Sequence, residues 1–157
     1  TRVFSYQFSS SGSHAQFPEI GAPAFHGTIH APQARNYETF HDGGVKYFMK
    51  QFASLLDALK GTPEGAGNLL DNSCVFGTSC IASQYPFAQG AGHVGSDWPL
   101  LVAGRAGGKL KPGLHHRSTT RESATMVPLT CMKAMGLPAT EYGLGPARVD
   151  KTVPILT

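Results

Sequence analysis

The sequence predicts an α/β fold that is rich in loops. Residues 41–60 carry apolar side chains at three- and four-residue spacing, as an amphipathic helix does. Residues 74–79 and 98–104 are short apolar runs with the length and composition of buried strands. Because helical and extended segments alternate along the chain, we expect one sheet covered by helices.

The elements before residue 64 are predicted from the alternation of aromatic and polar side chains and from residues that typically begin or end a helix. Residues 2–8 alternate aromatic side chains with smaller or polar ones, which predicts a strand with one aromatic face. Residues 9–36 are rich in Ser, Gly, Pro and His and predict a long loop. Asp42 is placed to cap the long helix, and Gly61 with Pro63 predicts its end.

The second half of the chain has the same alternation of turns with apolar segments. A long loop over 81–97 separates the two buried strands, and the Gly-rich residues 107–113 predict a turn arm. Residues 125–136 predict a second helix. We therefore expect a single α/β domain over residues 1–145, followed by an extended tail over 146–157 that wraps the surface.

Composition excludes two classes of partner from our expectations. The net charge is only +3, and the one basic cluster lacks interleaved aromatic residues, so we expect no nucleic-acid partner. Apolar runs fall short of the ~20 residues that a membrane span needs, so we expect no membrane span. The basic cluster comprises Arg105, Lys109, Lys111, His115, His116, Arg117 and Arg121.

Four residues are candidate metal ligands. His26 and His30 are four residues apart, so on a helical turn both imidazoles would face the same side, although capping or surface roles fit this spacing equally well. Cys80 follows the strand over 74–79, where a thiolate could bind zinc, copper or iron; a buried, inert cysteine is the alternative. His93 lies among glycines that let the backbone approach a ligand, or that form a surface loop.

The other cysteines carry no predicted chemistry. Three cysteines leave at least one without a partner in the chain. Cys74 and Cys80 are separated by roughly 20 Å if the segment between them is extended, which is beyond disulfide reach. Because Cys74 and Cys131 lie within apolar runs, we interpret both as buried and inert.

Two blocks of the sequence resemble domain-of-unknown-function family 1552, a family of secreted bacterial proteins. The first is Leu55-Leu-Asp-Ala-Leu-Lys-Gly-Thr-Pro-Glu-Gly-Ala-Gly-Asn-Leu-Leu-Asp-Asn-Ser, and the second is Trp98-Pro-Leu-Leu-Val-Ala-Gly-Arg-Ala-Gly-Gly-Lys-Leu-Lys-Pro-Gly. The segment from Phe25 to His30 and the later Met135-Gly-Leu-Pro also resemble it. The resemblance covers roughly residues 1–145 and implies a periplasmic or extracellular protein.

This family is similar in turn to the alkaline phosphatase and sulfatase superfamily. That likeness implies a partial alkaline-phosphatase-like sheet flanked by helices, with Cys80 and His93 near the positions of metal ligands. Cys80 stands where an acidic residue is usual, and a thiolate shifts preference from magnesium or calcium toward zinc, copper or iron. The superfamily's nucleophile lies upstream of the matched region. Because Thr1 leads directly into a predicted strand, we expect a processed, truncated or incompletely recorded chain.

Three functions are consistent with these features. The first is an extracytoplasmic metal-binding domain, non-catalytic or degenerate, that binds one transition metal through His26, His30, Cys80 and His93 and acts as a subunit of a larger protein complex. The second is a metal-dependent phosphoric or sulfuric ester hydrolase completed by an N-terminal part. The third is a purely structural subunit without metal. The sequence leaves open whether the chain is an enzyme.

Overall fold

The computed structural model describes residues 3–10, 16–20, 26, 37–79, 82–83, 93–94 and 97–157, and the backbone alone for 20, 37–41, 82–83 and 93–94. The helices are α1 (Tyr37–Gly61), α2 (Leu69–Asn72) and α3 (Met126–Ala134). The strands are β1 (Pro63–Glu64), β2 (Gly67–Asn68), β3 (Val75–Thr78), β4 (Ala82–Ser83), β5 (His93–Val94) and β6 (Leu100–Ala103).

Helix and strand are both present, which confirms the mixed class that the sequence predicts. The described strands pair as three antiparallel two-stranded ribbons: β1 with β2, β3 with β6, and β4 with β5. Within the described part of the chain, the expected single sheet is therefore replaced by short ribbons. An alkaline-phosphatase-like sheet stays a prediction.

The chain divides into two compact units. The first comprises Thr1–Ala53 and Cys80–Asp97, and the second comprises Ser54–Ser79 and Trp98–Thr157. The predicted single domain over 1–145 stays a prediction.

Helix α1 confirms the predicted amphipathic helix over 41–60, but it begins earlier, at Tyr37. Asp42 is therefore not the N-cap; it lies in the second turn, where its carboxylate accepts a hydrogen bond from Lys46. The predicted end is confirmed, because the helix stops at Gly61, two residues before Pro63. The Thr62 hydroxyl also donates to the carbonyl of Ala58, at 2.8 Å, and satisfies one of the last helical acceptors.

In the first unit, aromatic side chains pack onto α1. Phe8 and Phe48 meet edge to face with ring centroids 4.9 Å apart, and Phe17 lies 5.0 Å from Tyr47. The strand predicted over 2–8 is wrong for the described residues 3–8, which have irregular backbone. The aromatic alternation misled that prediction because Phe8 packs against a helix, whereas the preceding aromatics are exposed.

The second unit is built around the β3–β6 ribbon and α3, which confirms the two predicted strands and the helix predicted over 125–136. The predicted burial of the strands is wrong, because their side chains are half-buried or exposed. Leu100 and Val102 of β6 pack against a cluster formed by Met126, Val127 and Val153. Helix α3 contributes Leu129 and Thr130, which are both 0% exposed.

The tail predicted over residues 146–157 contributes to this core and does not lie on the surface alone. Val153 is 7% exposed, and its backbone N–H donates to the hydroxyl of Thr130 at 3.0 Å. That hydroxyl itself donates to the carbonyl of Met126, one turn earlier in α3. Leu156 forms an antiparallel bridge with the buried Leu110. The C-terminal segment is thus fixed to the second unit by a buried side-chain hydrogen bond as well as by apolar contact.

Candidate metal centre

The two residues that flank the segment carrying Cys80 and His93, Ser79 and Trp98, lie at the open end of the β3–β6 ribbon. The Trp98 indole N–H donates to the carbonyl of Ser79 at 2.9 Å, and the Thr78 hydroxyl donates to the carbonyl of Pro99 at 3.2 Å. These two bonds cross between the strands just beyond the last ladder pair, Thr78 and Leu100. They fix the residue before Cys80 against the residue after Asp97. Cys80 itself lies outside the described residues.

Strands β4 and β5 bring two parts of this segment together. Ala82 pairs with Val94, and Ser83 pairs with His93, in an antiparallel ladder. The backbone of His93 therefore runs beside a strand that starts two residues after Cys80. The side chain of His93 is outside the description, so the ladder gives its backbone position alone.

Of the predicted histidine pair, the structure describes His26. His26 has helical backbone, and its side chain is half-buried, with a buried Nδ1 atom. His30 lies outside the described residues.

The four-ligand site stays a prediction. Among side chains that the structure describes, no three His, Cys, Asp or Glu residues are grouped so that they could hold a metal ion. Of the predicted ligands, only His26 has a described side chain. Imidazole nitrogen and thiolate sulfur are the donor types that zinc, copper and iron prefer, so the chemistry of the predicted set fits one such ion.

The structure brings Cys74 and Cys131 to the same helix, an arrangement that the sequence interpretation missed. Cys74 packs against the cluster that contains Ala134 of α3, and Cys131 packs one turn earlier on the same helix; both side chains are half-buried. Sequence spacing gives no sign of this arrangement, because it depends on how α3 packs in the second unit. The interpretation of both residues as buried is wrong, because both are half-buried, and the interpretation of both as inert stays a prediction.

The neighbouring thiol shifts the pKa of each cysteine, in opposite directions. Cys131 lowers the pKa of Cys74 through a side-chain hydrogen bond that stabilises the thiolate, and this effect exceeds the opposing effect of burial. The same interaction raises the pKa of Cys131, and burial raises it further.

The adjacent histidines 115 and 116 have the surface positions expected from the sequence. His116 lies 3.0 Å from a carboxylate oxygen of Glu122, and this contact lowers the pKa of the Glu122 carboxyl. His115 is exposed. Its distance in sequence from every predicted ligand makes it a suitable control histidine.

Comparison with protein-family models, with curated proteins and with solved structures found no match for this chain. None of the helices in the described ranges is long and apolar enough to cross a membrane.

Proposed function

We propose that this chain is an extracytoplasmic, non-catalytic metal-binding domain that acts as a subunit of a larger protein assembly. The observation that carries the proposal is the β4–β5 ladder, in which His93 pairs with Ser83. It supports the proposal because the backbone of His93 lies beside a strand that begins two residues after Cys80 in the sequence. His26 and His30 complete the proposed donor set.

The proposed ion is zinc, copper or iron. A set of three imidazoles and one thiolate matches the four-coordinate sites that soft and borderline ions form. The hydrogen bond from the Trp98 indole to the carbonyl of Ser79 supports this arrangement, since it fixes the position of the residue before Cys80. The ladder fixes the backbone of His93, and a ligand whose backbone is already fixed loses less conformational entropy when it binds metal.

Cobalt substitution tests the thiolate ligand. We expect the tag-free, reduced chain to bind Co²⁺ with a sulfur-to-cobalt charge-transfer absorption, and Cys80→Ser to abolish that absorption. Because a ligand is lost, affinity should fall by more than the roughly 10–100-fold that loss of an outer-shell partner costs. Absorbance titration of both proteins gives the two affinities.

Matched variants separate Cys80 and His93 from other residues of the same type. Cys74→Ser should keep the charge-transfer absorption, and His115→Ala should keep the affinity that His93→Ala loses. Loss of the absorption in Cys74→Ser, with its retention in Cys80→Ser, would contradict the proposed site.

Exposed apolar side chains support the role as a subunit. Along one short segment of the first unit, Val3 is 86% exposed, Phe4 67% and Tyr6 76%. Contiguous exposed apolar groups are characteristic of surfaces that another protein covers. The extracytoplasmic setting rests on the resemblance of residues 55–113 to an exported family.

Light scattering coupled to size exclusion tests that role. We expect the isolated chain to self-associate as its concentration rises, because no partner covers the apolar segment. A variant with Phe4→Ser and Tyr6→Ser should associate less, since it exposes less apolar area. A chain that stays monomeric at all concentrations would contradict the role as a subunit.

A further inference from the structure

The second unit has an exposed basic loop, which comprises residues 109–122. Between Asp97 and Glu122 the sequence contains no acidic residue, but it contains five of the chain's 13 lysines and arginines. Residues 111–122 form neither helix nor strand. Four of the five basic residues lie in the basic loop, and all four are exposed: Lys109, Lys111, Arg117 and Arg121. The loop therefore presents a concentration of positive charge to solvent.

Both ends of the basic loop are fixed to the core of the second unit. At its start, the carbonyl of Lys109 accepts a hydrogen bond from the backbone N–H of Thr157 at 3.0 Å, and the next residue, Leu110, is 3% exposed. Beyond its end, the chain enters α3 at Met126, which is 7% exposed. Since the ends are held in place, the loop loses less conformational entropy when a partner binds it.

The one acidic residue of the basic loop closes its second half into a compact turn. A carboxylate oxygen of Glu122 lies 3.0 Å from Nε2 of His116, and the Glu122 backbone N–H donates to the hydroxyl of Ser118 at 2.7 Å. These two bonds place Arg117 and Arg121 in the same turn. Because the Glu122 carboxylate contacts a histidine, the four lysines and arginines outweigh it and the loop stays positive.

The other side chains of the basic loop favour a polypeptide as the source of negative charge. Leu114, in the middle of the loop, is 56% exposed, so an apolar group of a partner could cover it. Residues 109–122 include no Phe, Tyr or Trp. Aromatic side chains are the platform on which nucleic-acid bases stack, so the loop lacks that means of recognition.

We propose that the basic loop is a docking surface for an acidic segment of a partner protein, in which carboxylates flank an apolar side chain. The partner's carboxylates pair with the lysines and arginines, and the two arginines can each take a carboxylate through two hydrogen bonds. The apolar side chain covers Leu114. This proposal rests on the proposed role as a subunit and names the chemistry of the partner. Charge complementarity of this kind sets the orientation of the partner and speeds its association.

Fluorescence anisotropy tests this surface with the full chain and a labelled peptide in which glutamates flank two leucines. Replacing all four basic residues of the loop by glutamine should raise the Kd at least about tenfold at roughly 0.15 M salt, since four ion pairs are lost together. The two half sets should each give part of this loss. They are Lys109→Gln with Lys111→Gln, and Arg117→Gln with Arg121→Gln.

A matched control removes the same charge from other exposed positions. Glutamine replaces four lysines that are exposed and lie outside the loop: Lys46, Lys50, Lys60 and Lys151. This variant should change the Kd by no more than about twofold, because attraction by net charge alone is largely screened at this salt concentration. Circular dichroism should show the same helix content in both variants. Equal losses of affinity would overturn the proposal, since net charge would then explain the binding.

Leu114→Ser separates a polypeptide partner from other anionic polymers. It should weaken binding of the leucine-containing peptide by about threefold or more and leave binding of polyglutamate unchanged. Dextran sulfate is the polysaccharide probe. If it binds more tightly than the peptide at equal charge, and Leu114→Ser alters neither, the polypeptide assignment is wrong. None of these results bears on the self-association expected of Phe4 and Tyr6, so failure of the docking surface is distinguishable from failure of the subunit role.

Discussion

Replacing Gly104 by alanine is expected to lower the free energy of unfolding of the second unit by about 3–5 kcal/mol. Gly104 follows β6 with φ +89, a conformation that side chains with a Cβ rarely adopt. A Cβ atom there would lie 2.2 Å from the carbonyl oxygen of Ser73 and 2.9 Å from that of Leu70. Both obstacles are backbone, so they cannot rotate away as a side chain would.

The carbonyl groups of Leu70 and Ser73 also accept hydrogen bonds from the two residues that follow Gly104. Arg105 N–H donates to Leu70 at 3.3 Å, and Ala106 N–H donates to Ser73 at 2.9 Å. Moving the backbone to admit a Cβ would break these bonds.

Gly107→Ala is the matched control for this substitution. Gly107 has φ +67, but an added Cβ would meet no atom within 4 Å. Its cost should be only the backbone strain, about 1–2 kcal/mol. Denaturant unfolding followed by circular dichroism compares the two variants. Equal losses would contradict the close approach between Gly104 and the Leu70–Ser73 backbone.

Leu129→Ala is expected to lower the free energy of unfolding by about 2–5 kcal/mol. Leu129 is 0% exposed in α3, so the substitution removes buried apolar area and leaves a cavity. Leu144, which is 88% exposed, is the matched leucine. Leu144→Ala should change stability by no more than about 0.5 kcal/mol. A similar loss in both variants would contradict the position of α3 in the core.

Local periodicity was sufficient to predict the two longer helices and the strands of the β3–β6 ribbon, but not α2, β1 or β2. The apolar spacing over 41–60 and 125–136 predicts α1 and α3, because residues three and four positions apart in sequence lie on the same face of a helix. The runs over 74–79 and 98–104 predict β3 and β6. Their antiparallel partnership is a long-range property, and the sequence pattern does not specify it.

The two wrong predictions near the N-terminus, the strand over 2–8 and the cap at Asp42, also come from local patterns that do not specify long-range packing. Alternation over residues 2–8 is also compatible with a segment that packs one aromatic, Phe8, on a helix. Asp42 has the residue type of an N-cap, but the helix extends past it to Tyr37. A residue of capping type marks a helix end only where the helical backbone also ends.

The candidate sites were predictable to different degrees. Donor chemistry and spacing predict the metal ligands, and the β4–β5 ladder gives a backbone position for His93. The packing of Cys74 near α3 could not be predicted, because it arises where α3 packs against the chain around β3. Apolar surroundings alone suggested buried cysteines, whereas both side chains are half-buried.

Metal content of the purified chain is the most direct test of the proposed function. The protein is expressed without a histidine tag, purified without chelators and analysed for all first-row transition metals by mass spectrometry. We expect about one zinc, copper or iron ion per chain, and a large loss of that metal in His93→Ala but not in His115→Ala. Substoichiometric traces of every metal, unchanged in His93→Ala and after incubation with each ion, would contradict the proposal and favour a structural subunit without metal.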